Sequence, residues 1–246
     1  MTSITLPFNQ SLLIIPTYNE IDNIERMLQT ITSLYPELDI LIIEDGSPDG
    51  TADVVKKYKE QNSHINIIER TGKLGLGTAY ITGFKWALDR DYQYVFEMDC
   101  DFSHDPKDIP RLLEAAMTND LVIGSRYIDG IRIINWPIHR LLLSYFAGVY
   151  TRIITGLDVL DATGGFKCFT RKALETLDLD RVFSNGYSFQ IELNFKIWAK
   201  GLKVKEVPII FTERRDGESK MHGGIIHEAV FAVIKLRLRK IFGRLD

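Results

Sequence analysis

Cysteine is nearly absent: the chain of 246 residues holds two, Cys100 and Cys168, far apart and without metal-ligand spacing. That excludes a disulfide scaffold or a cysteine-rich zinc site and fits a reducing compartment. An excess of positive charge is missing too, because 30 Lys and Arg face 33 Asp and Glu for a net charge of -3. No overall basic field would draw the chain to nucleic acid, so any anionic partner must be met by a local cluster. Long hydrophobic runs are lacking as well. The longest apolar stretch without a charge, Leu141 to Thr151, is bracketed by Arg140 and Arg152 and falls well short of the roughly 20 residues that a spanning helix needs. The N-terminus carries no basic segment followed by an apolar one, so no secretory signal is expected and the cytoplasm is the expected compartment. Internal repeats, low-complexity tracts and Gly/Ser linkers are also missing.

What is present is alternation. With 45% hydrophobic residues the chain can bury a full core. LLIIP (Leu12 to Pro16), ILIIE (Ile40 to Glu44), INIIE (Ile65 to Glu69), YVFEM (Tyr94 to Met98) and LVIG (Leu121 to Gly124) read as strands buried on both faces. Between the first two, Ile21, Ile24, Leu28, Ile31 and Leu34 recur at helical spacing. DGTADVVKKYKE, LGTAYITGFKWALDR and DPKDIPRLLEAAM supply further crossovers. The pattern predicts an α/β fold, a doubly wound, mainly parallel sheet with helices on both faces, in which ligands sit beyond the carboxyl ends of the strands. After Arg126 the alternation stops. TGGFKCFTRKAL reads as a strand entering a helix, Gly186 to Ala199 as a helix, KVKEVPIIF as a strand, and a last helix is expected from about Gly224. The expected division is a catalytic domain over residues 1–224 and a basic amphipathic helix over 225–246.

The predicted strand ends are unusually polar. Asp99 and Asp101, in EMDCDFSH, project to the same side of an extended backbone because residues i and i+2 point the same way. Such a pair suits Mg2+ or Mn2+ bridging to a diphosphate, although an isolated pair also reads as solvated turn acids. PTYNE offers the Tyr18 ring for stacking and Glu20 for a base edge or ribose, and EDGSPDG offers Asp45; plain turn chemistry is the alternative for both. GKLGLGTA lacks GxGxxG spacing, which sets a dinucleotide fingerprint aside and leaves Lys73 as a nucleotide contact. Arg126, Arg214 and Lys220 are the cations expected to meet phosphate.

Taken in order, PTYNE, EDGSPDG, GLGTA, MDCD followed by FSH, GSRY, NWP, GGFK, GYSFQIE and the late RxxGESK run closely resemble dolichyl-phosphate mannose synthases, family-2 glycosyltransferases of the GT-A fold. The resemblance runs from about Leu12 to Gly224. It implies a metal-dependent, inverting transfer of mannose from GDP-mannose to a polyprenyl or dolichyl phosphate. It further implies a donor site of Pro16, Tyr18, Glu20, Ile43, Asp45, Asp99, Cys100, Asp101, Arg126, Arg214 and Lys220. The metal would be held by Asp99 and Asp101 with Ser103 near it, and the acceptor by Arg126 and Arg140. Asp99, Asp101, Arg126 and Arg214 would carry the catalytic roles. Cys100 stands where alanine is common, and its small size is what the position needs.

A lipid acceptor needs an apolar path. Within Ile131 to Thr155, Trp136, Leu141, Leu142, Tyr145, Phe146, Val149, Ile153 and Ile154 are expected on a surface helix, with an ordinary core helix as the alternative. The last helix strings Phe231, Ile234, Leu238, Ile241 and Leu245 in one stripe, with Lys235, Arg237, Arg239, Lys240 and Arg244 elsewhere around its axis. That pattern suits the anionic cytoplasmic face of a membrane, or packing on its own domain or on a membrane-anchored partner subunit. Rival functions are transfer from another donor such as UDP-glucose, a noncatalytic nucleotide-sugar-binding subunit, and a metal-dependent nucleotidyltransferase.

Overall fold

The computed structural model describes residues 5–184, 186–213 and 223–245, with the backbone alone at residues 187 and 223–228. Arg214 and Lys220 lie outside the described residues. The elements in chain order are β1 (Ser11–Thr17), α1 (Ile21–Leu34), β2 (Asp39–Glu44), α2 (Thr51–Gln61), β3 (Ile65–Glu69), α3 (Leu76–Leu88), β4 (Tyr94–Glu97), α4 (Ile109–Ala116), β5 (Leu121–Ser125), β6 (Ile133–Ile134), α5 (Ile138–Thr155), β7 (Lys167–Thr170), α6 (Arg171–Glu175), α7 (Gly186–Ala199), β8 (Val204–Pro208), β9 (Phe211–Thr212) and α8 (Gly223–Ile241).

Seven strands form one sheet in the order β3-β2-β1-β4-β7-β5-β8, and β6 pairs with β9 in a small second sheet. All neighbours in the large sheet are parallel except β7, which runs antiparallel between β4 and β5. The mainly parallel α/β reading holds, with one antiparallel insertion that strand periodicity does not encode. Alternate residues of each strand feed two cores. Leu13, Ile15, Ile40 and Ile42 pack under α1, α2 and α4, while Leu12, Ile14, Leu41 and Ile43 pack under α3, α6, α7 and α8. The chain order reverses between β1 and β4, so this is the switch point at which a parallel sheet opens a crevice.

Two expectations change. KVKEVPIIF is not one strand: β8 ends at Pro208 and β9 begins at Phe211 in the other sheet, where Phe211 N–H donates to Arg132 O. The helix expected within Ile131 to Thr155 starts only at Ile138, after Pro137. Trp136 therefore lies outside it. On α5, Leu142, Tyr145, Phe146 and Ile153 are exposed, while Ile154 packs against the core. Among the described residues no helix is long and apolar enough to cross a membrane.

Helix α8 lies against α7 and α5, with Ala232, Val233 and Leu236 buried. Of the sequence stripe, Phe231, Ile234, Leu238 and Ile241 are on the exposed side, whereas Leu245, beyond the end of the helix, packs against the core. Three of its cations are drawn onto rings of the body: Lys235 lies 3.7 Å and Arg239 4.5 Å from the Phe183 ring centre, and Lys240 lies 4.0 Å from that of Trp198. Such contacts hold a helix in place through ring quadrupoles and stem packing.

Candidate active site

The ends of β1 and β2 stand level, with Thr17 opposite Glu44, while β4 ends at Glu97 opposite Ile14, so the residues that follow β4 run on beside the last residues of β1 toward the same rim. Two of these loops are braced together. Asn19 N–H donates to Ser47 Oγ at 3.0 Å, Glu20 N–H to Thr51 Oγ1 at 3.1 Å and Ile21 N–H to Asp49 Oδ2 at 3.1 Å. Glu44 turns its carboxylate back to accept from Gly46 and Ser47 N–H at 2.9 and 2.8 Å, where Gly46 takes a φ of +69° that favours a residue without Cβ.

Three residues other than glycine adopt left-handed backbone among the described residues: Asn19, Phe102 and Asn135, with φ of 57°, 58° and 68°. Each sits within a motif that borders the crevice, beside Tyr18 and Glu20, beside Asp101 and Ser103, and beside Trp136. Backbone in this region costs energy and persists where its surroundings hold it. Phe102 is held by the Arg26 guanidinium, 4.0 Å from its ring centre.

The crevice is a cavity of about 370 Å³. Pro16, Tyr18, Glu20, Asp45, Lys73, Asp99, Cys100, Asp101, Ser103, Arg126 and Arg140, all singled out from sequence, line it. Ile43 does not; its side chain is fully buried in the core, so only its backbone is near the rim. The Cys100 thiol is pushed well above its ordinary range by burial and by the acids around it, which leaves it neutral and small rather than nucleophilic.

Asp99 and Asp101 both face the cavity. Ser103 N–H donates to Asp101 Oδ1 at 3.0 Å, and Asp99 N–H donates to His104 Nδ1 at 3.4 Å. His104 is buried against the Phe166 and Phe211 rings. Burial pushes its pKa down to about 4 against the pull of Asp101, so the ring is a neutral prop whose Nδ1 accepts. Among the described residues no three His, Cys, Asp or Glu side chains cluster as a metal cage. Two carboxylates and a hydroxyl on an open wall fit a divalent ion that shares its coordination with a phosphate-bearing ligand and water. They do not fit a metal enclosed by protein.

Beneath this wall Glu97 and Lys167 sit directly opposite each other on β4 and β7, both fully buried. Desolvation raises Glu97 to about 7, opposed by Lys167, and lowers Lys167 to about 8, opposed by Glu97. Lys167 Nζ also donates to Gln190 Oε1, and Gln190 reaches the cavity lining.

Sequence reasoning missed several residues that shape the site. Arg70 grips Asp45 bidentately, Nε to Oδ1 at 2.6 Å and Nη2 to Oδ2 at 2.8 Å, and donates to Thr78 Oγ1. It directly follows β3, so its place on the rim was available as a signal. Asp161 grips Arg126 in the same way, at 2.7 Å to Nε and 2.6 Å to Nη2, and also accepts from Arg126 N–H at 2.9 Å. Asp161 is itself fixed, since Glu206 accepts from the backbone N–H of Leu160 and of Asp161. No local pattern announces a contact between residues so far apart in sequence.

A second cavity of about 240 Å³ opens between α5, α7 and α8. Leu143, Phe146, Ala147, Ile191, Val230 and Val233 supply its apolar lining, and Arg126, Trp136, Arg140 and Thr163 line both this cavity and the first. Trp136 lies near both guanidinium groups, with Arg140 at 4.2 Å and Arg126 at 5.4 Å from its ring centre. A polar chamber with paired carboxylates thus meets an apolar one across two arginines.

The chain is related in sequence and in fold to known proteins. Residues 12–178 match the family model described as glycosyl transferase family 2. The chain is 45% identical over 224 residues to an undecaprenyl-phosphate mannosyltransferase of Micrococcus luteus, covering 91% of this chain and 92% of the relative. It is 43% identical over 242 residues to a polyprenol monophosphomannose synthase of Mycolicibacterium smegmatis, covering 98% and 90%. In fold it is similar to glucosyl-3-phosphoglycerate synthase from Mycobacterium tuberculosis, solved with Mn2+, UDP-glucose and phosphoglyceric acid. The TM-score is 0.69 at 19% identity, over 92% of this chain and 79% of that one. The fold is therefore of the GT-A type.

Proposed function

The chain belongs to glycosyl transferase family 2, and from that premise we propose that it moves mannose from GDP-mannose to a polyprenyl phosphate, giving polyprenyl-phosphate mannose and GDP. The observation that carries this reading is the junction of the two cavities: nucleotide sugar on the polar side, isoprenoid on the apolar side, and Arg126 with Arg140 between them. The names of the relatives from Micrococcus luteus and Mycolicibacterium smegmatis support the same acceptor class and the same sugar.

In this reading Tyr18, Glu20 and Asp45 receive the nucleoside, with Asp45 held in place by Arg70. Asp99, Asp101 and Ser103 would hold Mg2+ or Mn2+, which supplies positive charge against the diphosphate as it departs. Arg126 and Arg140 receive the acceptor phosphate. A phosphate monoester has a second pKa near ~6, so at neutral pH the attacking oxygen is already anionic and no side chain has to remove a proton. One phosphate oxygen attacks the anomeric carbon, the bond from that carbon to the diphosphate oxygen breaks, and its electron pair leaves with GDP. A single in-line displacement inverts the anomeric centre. Arg214 and Lys220 belong to the same reading as contacts to phosphate, and both lie outside the described residues.

The lipid half extends to the surface. Phe146 and Ile153 on α5 and Phe231, Ile234, Leu238 and Phe242 at α8 and just beyond it are exposed apolar side chains, with exposed Arg237 and Arg244 among them. A face of this kind suits peripheral attachment to an anionic cytoplasmic leaflet. A membrane-anchored subunit is the competing occupant, and binding to protein-free anionic vesicles separates the two.

The test is a matrix of donors, GDP-mannose and UDP-glucose among them, against polyprenyl phosphates of different lengths, with the anomeric configuration of the product read by NMR. Mannosyl transfer with inversion is expected. Turnover of UDP-glucose alone would reassign the donor, and retention would overturn the single displacement.

A further inference from the structure

The two junction arginines are neutralised in different ways, and this difference points to a role for Glu213. Arg126 and Asp161 are sealed: the side chains are 7% and 0% exposed, Asp161 takes three N–H groups of Arg126, and Glu206 fixes the Asp161 backbone. Arg140 and Glu213 are joined through Nη1 and Oε1, with side chains 16% and 24% exposed. Arg140 Nε is meanwhile buried with no acceptor among the described residues. Glu213 therefore satisfies one edge of the guanidinium and leaves another unmet. Its backbone is pinned by Glu213 N–H donating to Ile134 O at 3.1 Å, so the side chain can release Arg140 without the small sheet coming apart. Both residues line the larger cavity.

Resting on the reading that the acceptor phosphate meets Arg126 and Arg140, we propose that Glu213 is a resident carboxylate that the incoming phosphate displaces from Arg140 and that returns to displace the product. The charges set the direction. The acceptor is a phosphate monoester, largely a dianion at neutral pH, and outcompetes a carboxylate monoanion for a bidentate guanidinium. Transfer converts it to a diester carrying one charge, which the carboxylate can match. Glu213 thus makes Arg140 selective for the doubly charged acceptor and speeds release of the singly charged product.

The experiment uses the full chain with GDP-mannose, Mn2+ and geranyl phosphate, and the purified mannosyl diester as added inhibitor. Glu213→Gln keeps the shape and removes the charge. Its KM for geranyl phosphate and its inhibition constant for the diester are both expected to fall by about three- to tenfold, with progress curves that flatten early. Glu213→Asp is expected to restore wild-type values, and Glu213→Ala to behave as Glu213→Gln does. Values within twofold of wild type for both neutral variants, or a raised KM, would overturn the proposal, since a residue that merely organises Arg140 would weaken acceptor binding when lost. Wild-type protein that turns over no isoprenyl phosphate would instead remove the acceptor assignment itself, and this inference with it.

Discussion

Asp161→Asn probes the buried support of the junction. The substitution keeps size and shape but turns one acceptor oxygen into an NH2 group that must face the guanidinium or the backbone N–H of Arg126. The Arg126 side chain, 7% exposed, then stays buried as a charge that faces a neutral amide in place of the Asp161 carboxylate. Losing one partner of a buried pair costs about 3–5 kcal/mol, and a chain of this size loses about 2–4 °C of melting temperature per kcal/mol. Because one oxygen remains to accept, the lower end applies, a fall of about 6–12 °C. The guanidinium, no longer clamped by a carboxylate, holds its orientation toward the acceptor less firmly, so KM for polyprenyl phosphate is expected to rise about tenfold while the affinity for GDP stays within twofold. Calorimetric melting and titration with GDP, followed by kinetics well below the new melting temperature, give the comparison. Melting within 2 °C of wild type with unchanged KM would refute the reasoning, because the pair would then hold neither the fold nor the site.

Arg70→Met strips the partner from Asp45, whose side chain is 9% exposed; GDP affinity by titration is expected to fall tenfold or more, with kcat at saturating donor changed far less. Gly148→Ala would set a Cβ 2.7 Å from the Leu160 carbonyl oxygen, a backbone contact that cannot turn aside, so urea denaturation should show a loss of about 1–3 kcal/mol. The same shift of α5 should impair acceptor use more than donor use. Phe231→Ser with Phe242→Ser removes side chains 68% and 70% exposed; co-sedimentation with anionic liposomes should drop while the melting temperature holds.

What sequence made legible was local. The strands β1 to β5 and their crossovers follow from periodicity, and the Asp99 and Asp101 pair from its place at a strand end, although β4 stops at Glu97 and the pair meets in the bend after it rather than on extended strand. The antiparallel insertion of β7 was hidden because its alternation says nothing about which neighbours it takes or in which direction. The apolar character of Trp136 suggests a place on the lipid-facing helix, but Pro137 follows it and a residue before proline is biased away from helix, which is why α5 starts only at Ile138. The Arg126 grip on Asp161 and the Arg140 grip on Glu213 join residues distant in sequence, and only the assembled sheet brings them together. In the tail, helical spacing places Phe231, Ile234, Leu238 and Ile241 on one exposed side, whereas the packing of Leu245 on the core and the stacking of Lys235, Arg239 and Lys240 on Phe183 and Trp198 need the fold.

The central claim is that a nucleotide sugar and a lipid phosphate meet where the two cavities join. Labelled GDP-mannose with Mn2+ should be offered, in parallel, a polyprenyl phosphate and the polyprenol of the same length. A labelled lipid is expected from the phosphate, none from the alcohol, and loss of the product with Asp101→Ala. Equal transfer to the alcohol, or full activity of Asp101→Ala, would contradict the claim.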